Sequence, residues 1–216
     1  MESNKRYIFL GPPGSGKGTQ AKVVAETLDL PHIDMGSTIR AAISKGTDAG
    51  KKAKEYVESG QLVPSDIVIA MAEERLKQND TENGFILDGY PRSIVQAEAL
   101  EKYLKANEFD VKVLNLGIPV ENVVERLSSR MICRACSAVY NTKTKLPKRE
   151  GVCDSCNSEL YIRADDNPET IKNRFKTYED ETAPLIGFYS KKGALINIDA
   201  SGEIDQITKN ILNAIS

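Results

Sequence analysis

The chain lacks any apolar run long enough to cross a bilayer, and the one apolar run within residues 1–30 is interrupted by Gly, Pro and Lys. That pattern fits neither a signal peptide nor a membrane span. Internal repeats and low-complexity tracts are also missing. Charge of one sign is lacking too. A formal net charge of −2 argues against a general nucleic-acid surface and against a polybasic membrane contact. Histidine is reduced to His32, which is expected to be a structural or surface residue rather than a catalyst. Cysteine is confined to four positions, all between residues 131 and 166. Together these scarcities predict a cytoplasmic protein with no membrane or nucleic-acid partner.

What remains is a soluble globular composition, 40% hydrophobic and 28% charged, over 216 residues. That length supports one main core with a small insertion or two.

The most informative stretch is Gly11-Pro12-Pro13-Gly14-Ser15-Gly16-Lys17-Gly18-Thr19. It follows Tyr7-Ile8-Phe9-Leu10, which reads as a strand, and precedes residues 20–28, where apolar residues recur at helical spacing. Strand, glycine-rich turn and helix form the context of a phosphate-binding loop. Its backbone N–H groups surround an anion, the helix adds its positive end, and Lys17 reaches the terminal phosphates. The bland alternative is a turn that merely joins strand to helix; the complete G-x-x-x-x-G-K spacing speaks against it. Gly18 stands where such loops usually place Ser or Thr. That removes a metal-ligating hydroxyl from beside Lys17, and the G-K-G-T ending resembles nucleoside monophosphate kinases more than GTPases or motor ATPases.

Along the chain, strands are predicted at 5–10, 31–34, 84–88, 111–116 and 195–198. Helices are predicted at 16–28, 37–43, 48–59, from a turn and N-cap within Val63-Pro64-Ser65-Asp66 to about 78, 93–105, from Pro119 to about 130, and 204–215. A further helix starts at Pro168 and extends toward Tyr189, bending at Pro184. Alternating strands and helices imply an α/β fold, a parallel sheet covered by helices on both faces, with ligands at the carboxyl ends of the strands. Two stretches break the alternation. Residues 34–63 insert two helices, and residues 131–166 are turn-rich and carry the cysteines. The core is then 1–33, 64–130 and 167–216.

Cys133-x-x-Cys136 and Cys153-x-x-Cys156 are separated by residues 137–152. The spacing suits a four-thiolate zinc site, structural because no ligand position stays open. Disulfides, a redox pair and iron are the competing readings; the expected compartment disfavours the first.

Asp88-Gly89-Tyr90-Pro91-Arg92 follows the buried strand at 84–88. Asp88 suits Mg²⁺ held through water beside phosphates, or else a turn cap. The Arg92 guanidinium offers a planar fork suited to phosphate.

With these residues in view, the chain resembles the adenylate kinases. The motifs are Gly11–Thr19, Asp88–Arg92 with Gln96, and Arg126 and Arg130 with Arg163-x-Asp165-Asp166 and Arg174. The likeness runs in order from Tyr7 to about Ser201, and the four-cysteine insertion resembles the lid of the long, zinc-carrying bacterial form. The resemblance implies reversible transfer of a phosphoryl group from Mg·ATP to AMP, giving two ADP, by a monomer. It places ATP on Gly14, Ser15, Gly16, Lys17, Gly18, Thr19, Arg126, Arg130, Val139, Tyr140, Ser201 and Gly202. It places AMP on Met35, Gly36, Arg40, Gln61, Val63, Gly89, Arg92, Gln96, Arg163 and Arg174, beneath residues 34–63. Lys17, Asp88, Arg92, Arg130, Arg163 and Arg174 surround the transferring group, and Asp165 and Asp166 orient the lid arginines. Residues 131–166 become the lid, with Zn²⁺ on the four cysteines.

Two departures stand out. The family usually reads Ser-Thr-Gly-Asp where this chain has Asp34-Met35-Gly36-Ser37, and Met131 replaces an arginine that often follows Arg130. Met35 removes a hydroxyl near the acceptor base, as in relatives that prefer UMP or CMP. A UMP/CMP kinase is therefore the rival within the class, although its relatives have short lids without cysteines. A nucleotide-responsive, zinc-binding adaptor without turnover is the rival outside it. A zinc-dependent nucleic-acid binder is disfavoured because Glu150, Asp154 and Glu159 offset the basic residues of 131–166.

Overall fold

The computed structural model describes residues 5–119, 121–143 and 145–216. The first four residues of the expected core segment, residue 120 of the helix expected after Pro119, and residue 144 of the expected lid lie outside the described residues. In chain order the strands are β1 (Arg6–Leu10), β2 (His32–Asp34), β3 (Phe85–Asp88), β4 (Lys112–Gly117), β5 (Arg130–Cys133), β6 (Val139–Asn141), β7 (Leu160–Tyr161) and β8 (Leu195–Asp199). The helices are α1 (Lys17–Leu28), α2 (Met35–Lys45), α3 (Asp48–Ser59), α4 (Ser65–Leu76), α5 (Ile94–Ala106), α6 (Glu121–Ser128), α7 (Pro168–Thr177), α8 (Pro184–Lys191) and α9 (Ile204–Ile215).

Five strands form one sheet in the order β2-β3-β1-β4-β8, with every pair parallel. A parallel sheet needs apolar cover on both faces, and alternation along the strands supplies it. Tyr7 and Phe9 of β1 and Ile86 of β3 pack into one cluster with Ala21 and Val24 of α1 and Ile207, Ile211 and Ile215 of α9. Ile8, Leu10, Phe85 and Leu87 face the other way, into a cluster with Val68, Ala72 and Leu76 of α4, Leu100 of α5, and Leu185 and Tyr189 of α8.

Register fixes the working edge. Phe9 and Asp34 each lie opposite Asp88, and Leu10 lies opposite Asn115. The chain leaving β1 therefore emerges between the ends of β3 and β4, in the crevice where parallel α/β sheets bind ligands.

Several expectations are corrected. The N-cap of α4, expected within residues 63–66, falls on Pro64 and so has no side-chain cap. The Ser65 hydroxyl instead lies 3.5 Å from Ser93 Oγ and from Gln96 Nε2. The helix expected to reach Arg130 stops at Ser128, because Arg130 opens β5 and pairs with Asn141. The bend expected at Pro184 begins earlier. Pro184 has no N–H to continue the ladder, and the Ala183 N–H reaches back five residues to the Tyr178 carbonyl, at 2.8 Å, closing a π turn over Tyr178–Thr182. The turn-rich stretch 131–166 also contains an antiparallel sheet, β6-β5-β7.

Between β2 and α4, α2 and α3 are capped by Asp34, which accepts from the Ser37 N–H at 3.0 Å, and by Thr47, which accepts from the Gly50 N–H at 3.1 Å. The two helices cross closely, and a Cβ on Gly50 would lie 2.1 Å from the Ala42 carbonyl oxygen. Gly50→Ala is expected to cost about 1–3 kcal/mol by overpacking. Hydrogen exchange should speed up in α2 and α3 and stay unchanged in β1 and β3. Unchanged exchange in α2 and α3 would contradict this account of the crossing.

Candidate active site

The loop after β1 ends at Gly16, the N-cap of α1, whose φ of 86° and missing side chain leave the first turn without a side-chain cap. Such a helix start is suited to an anion. Ser15 Oγ is buried there without a hydrogen-bond partner. Lys17 lies across the loop and donates from Nζ to the carbonyls of Gly11 and Pro12, at 2.6 and 2.8 Å. Burial pushes its ammonium down to about 7; Asp88 opposes that shift, and Arg92, Arg174 and Arg130 add to it.

Asp88 stands at the end of β3 beside this loop. A Cβ at position 18 would come 3.1 Å from Asp88 Oδ2, which gives a spatial reason for Gly18. His32 Nε2 lies 3.6 Å from the same oxygen and has no hydrogen-bond partner. His32 thus stands beside a candidate catalytic carboxylate. Nothing in its local sequence signals that, because the contact depends on β2 pairing with β3.

The arginines form a cluster held by carboxylates. Arg130 makes two bonds to Asp166, from Nε at 2.8 Å and Nη2 at 2.6 Å. Arg174 Nη1 donates to Asp166 Oδ1 at 2.8 Å and lies 3.4 Å from Asp165 Oδ2. Arg163 grips Asp165 through Nε at 2.8 Å and through Nη2. Asp34 caps α2 and lies 3.8 Å from Arg40 Nη2, which also donates to Ser37 Oγ at 2.9 Å. Arg92 donates from Nε to the Gly89 carbonyl at 3.0 Å.

Crowding is visible in the acidities. Burial, then the charge of Arg163, pushes Arg40 and Arg174 down to about 10. Burial raises the Asp165 carboxyl, but the hydrogen bond and charge of Arg163, with Arg174 and Arg40, outweigh it and hold it at about 2. A cluster of buried cations of this kind favours a polyanionic ligand.

One cleft of about 1430 Å³ brings nearly all of the candidate residues together. Gly14 to Thr19, Arg126, Arg130, Val139, Tyr140, Ser201 and Gly202 line it, as do Gly36, Arg40, Gln61, Val63, Gly89, Arg92, Gln96, Arg163 and Arg174, with Asp88 and Asp165. Asp166 lies behind the arginines with its side chain at 0% accessibility. Met35 is not brought to the cleft. It has 0% exposure and packs in the core with Ile33, Val63 and Val68. Gln96 Oε1 is engaged by the Arg92 N–H at 2.8 Å.

The four cysteines meet, with all sulfurs within 4.8 Å of one another. Cys133 and Cys156 sulfurs are 3.3 Å apart, and Cys136 and Cys153 are 3.6 Å apart. Both separations far exceed the ~2.05 Å of a disulfide and approach the edge, about 3.8 Å, of a thiolate tetrahedron around a metal. The cysteines are free, so the disulfide reading is set aside. Two like turns hold them. In each, the first Cys N–H bonds five residues ahead, to Ala138 or Ser158, and its carbonyl accepts from four residues ahead, Ser137 or Asn157. Both of those residues have positive φ. Burial raises the Cys153 thiol, but the Tyr140 hydroxyl and the N–H groups of Ser155 and Cys156 outweigh it and bring it to about 6.

Comparison with known proteins places this geometry. A family model described as adenylate kinase matches residues 9–194. The chain is 49% identical over 205 residues to an adenylate kinase of Archaeoglobus fulgidus, covering 94% of each chain. It is 47% identical to one of Carboxydothermus hydrogenoformans, over 97% of this chain and 99% of that one. With one of Streptomyces avermitilis it shares 45% identity, over 97% of this chain and 96% of the relative.

The Lys17 environment yields a pH prediction. Its folded value lies below the ordinary lysine value of 10.5, so the charged form is disfavoured by folding. The ligand-free protein therefore gains stability as pH rises from about 7 toward 10.5. A bound polyphosphate reverses that preference. At pH 8, ATP binding should draw roughly one proton onto Lys17, falling toward none at pH 6. Calorimetry in two buffers of different ionisation heat measures the uptake, and Lys17→Met should abolish it. Equal uptake in that variant would place the titrating group elsewhere.

Proposed function

The chain belongs to the adenylate kinase family, whose reaction is reversible phosphoryl transfer from ATP to AMP, and we propose how its residues divide that work. The observation that carries the proposal is the single cleft joining the phosphate loop, Asp88 and the arginine cluster. ATP phosphates lie on Gly14 to Thr19 with Lys17, and Arg126, Val139, Tyr140, Ser201 and Gly202 flank the nucleoside. AMP lies beneath residues 34–63, with its phosphate on Arg40 and Arg92 and its base toward Gln61, Val63, Gly89 and Gln96. Arg130, Arg163 and Arg174 surround the transferring group.

An AMP phosphate oxygen attacks the γ-phosphorus in line, the bond to the β-phosphate oxygen breaks, and two ADP result. The attacking oxygen is already anionic, so no general base is needed. The transition state spreads charge over the phosphoryl oxygens, and fixed cations stabilise it. Asp165 and Asp166 hold those cations in place before substrate arrives. Residues 131–166 act as the lid that excludes water, which would otherwise accept the phosphoryl group.

The family implies Mg²⁺ with ATP. Asp88 fits it as a hard oxygen ligand beside the loop, acting through water. Held there, the ion would supply positive charge that offsets the charge of the ATP phosphates. For the cysteines we propose structural Zn²⁺, because four soft thiolates converge with no open position. We also propose a cytoplasmic monomer. The family resemblance supports the monomer, and among the described residues no helix is long and apolar enough to cross a membrane.

Met35 is turned into the core, so its departure from the family pattern puts no new side chain before the acceptor base. AMP is accordingly the preferred acceptor. Phosphoryl transfer from Mg·ATP to AMP, UMP, CMP and GMP, measured in parallel with metal content, should show strong AMP preference and about one zinc per chain. Comparable UMP or CMP rates would move the reading to a broader kinase, and no transfer from a folded, metal-loaded sample would favour the adaptor. Chelation should raise hydrogen exchange within residues 131–166 while the α/β core stays folded. Global unfolding at the first chelator addition would contradict a metal role confined to the lid.

A further inference from the structure

Three side chains on one face of α7 are aimed at one helix end. Thr170, Asn173 and Thr177 stand at i, i+3 and i+7, a spacing that shares a face. Thr170 Oγ1 donates to the Glu58 carbonyl at 3.3 Å, Asn173 Nδ2 to the Ser59 carbonyl at 3.4 Å, and Thr177 Oγ1 to the Gly60 carbonyl at 3.2 Å. A helix leaves its last carbonyls without intrahelical donors. At the end of α3 the chain itself meets the carbonyls of Tyr56 and Val57, through the N–H groups of Gly60 and Gln61. The next three carbonyls in sequence are the ones met by α7.

Gly60 makes the approach possible. It has φ +77°, and a Cβ there would lie 2.9 Å from the Thr170 carbonyl oxygen and 3.0 Å from Arg174 Cγ. Immediately beyond it, Gln61 and Val63 line the cleft. Between Asn173 and Thr177, the same α7 carries Arg174, which is tied to Asp166.

We infer that Thr170, Asn173 and Thr177 form a polar latch that docks the segment 34–63 against the helix carrying Arg174, as positioning residues for the acceptor nucleotide. The inference rests on the proposed placement of AMP beneath that segment. Swinging the segment away returns three carbonyls and three donors to water. The latch therefore favours only the docked state, which is also the state that encloses AMP. Two ligations that favour one state help each other, and removing one weakens the apparent strength of the other. The ATP phosphate loop lies between β1 and α1 and takes no part in these bonds.

The test uses the full chain with Thr177→Val and Asn173→Ala, singly and together, and Thr177→Ser as the conservative variant. Each single loss of a neutral hydrogen bond should raise KM for AMP about fivefold. The pair should raise it further, while kcat at saturating AMP and KM for ATP stay close to wild type. Thr177→Ser should restore the wild-type value. Calorimetric AMP binding gives the same comparison without turnover. Unchanged AMP affinity, or equal weakening of AMP and ATP, overturns the latch. A wild-type chain that neither binds nor phosphorylates AMP overturns the acceptor assignment itself, whatever the variants do.

Discussion

Like charge crowded into one shielded cleft is the constraint around which this molecule is arranged. Lys17, Arg40, Arg92, Arg130, Arg163 and Arg174 all border the same space, and their mutual repulsion grows as water is excluded. The carboxylates answer it at close range. Asp165 and Asp166, consecutive in a short 3₁₀ turn, take three of the arginines between them. Asp34 answers Arg40, and Asp88 opposes the loss of charge on Lys17. Buried ion pairs contribute little net stability, because desolvation offsets most of the attraction. Their value here is geometric. Each guanidinium is held in a fixed direction before any phosphate arrives, so little reorganisation is left for the reaction.

The parts legible in the sequence are those whose chemistry lies in short spacing. The phosphate loop, the Asp88 to Arg92 stretch and the paired cysteines each declare themselves within a few residues. The alternation of strands and helices was legible because a doubly covered sheet demands apolar runs, and α9 because Ile207, Ile211 and Ile215 share a buried face. What stayed hidden depends on pairing at long range. His32 meets Asp88 only because β2 lies beside β3. Met35, which the family resemblance placed at the acceptor base, is instead turned into the core by the first turn of α2. The strands of 130–161 are short and interrupted by cysteine turns, so no periodicity builds up, and the π turn depends on how the chain relieves Pro184.

The departure at Asp34 to Ser37 has a local logic. The family pattern places Ser first and Asp three residues later; here the two types are exchanged. Asp34 accepts from both the Ser37 N–H and the Ser37 hydroxyl, so the helix start keeps a side-chain cap. A carboxylate at the N-cap suits the helix dipole. It also lies 3.8 Å from Arg40, so the same carboxylate that caps the helix balances that charge.

The small sheet β6-β5-β7 encloses a buried cluster of only Cys133, Tyr140, Cys153 and Leu160, two of which are thiols. Apolar burial weakens on cooling, and the main core, built from aliphatic and aromatic side chains on both faces of its sheet, shares that weakness. Coordination bonds to sulfur do not follow the hydration of hydrocarbon. The two sheets would therefore answer cold by different laws: the drive that holds the main core weakens as the temperature falls, while a metal on the four cysteines would hold the small sheet by bonds that do not weaken in that way.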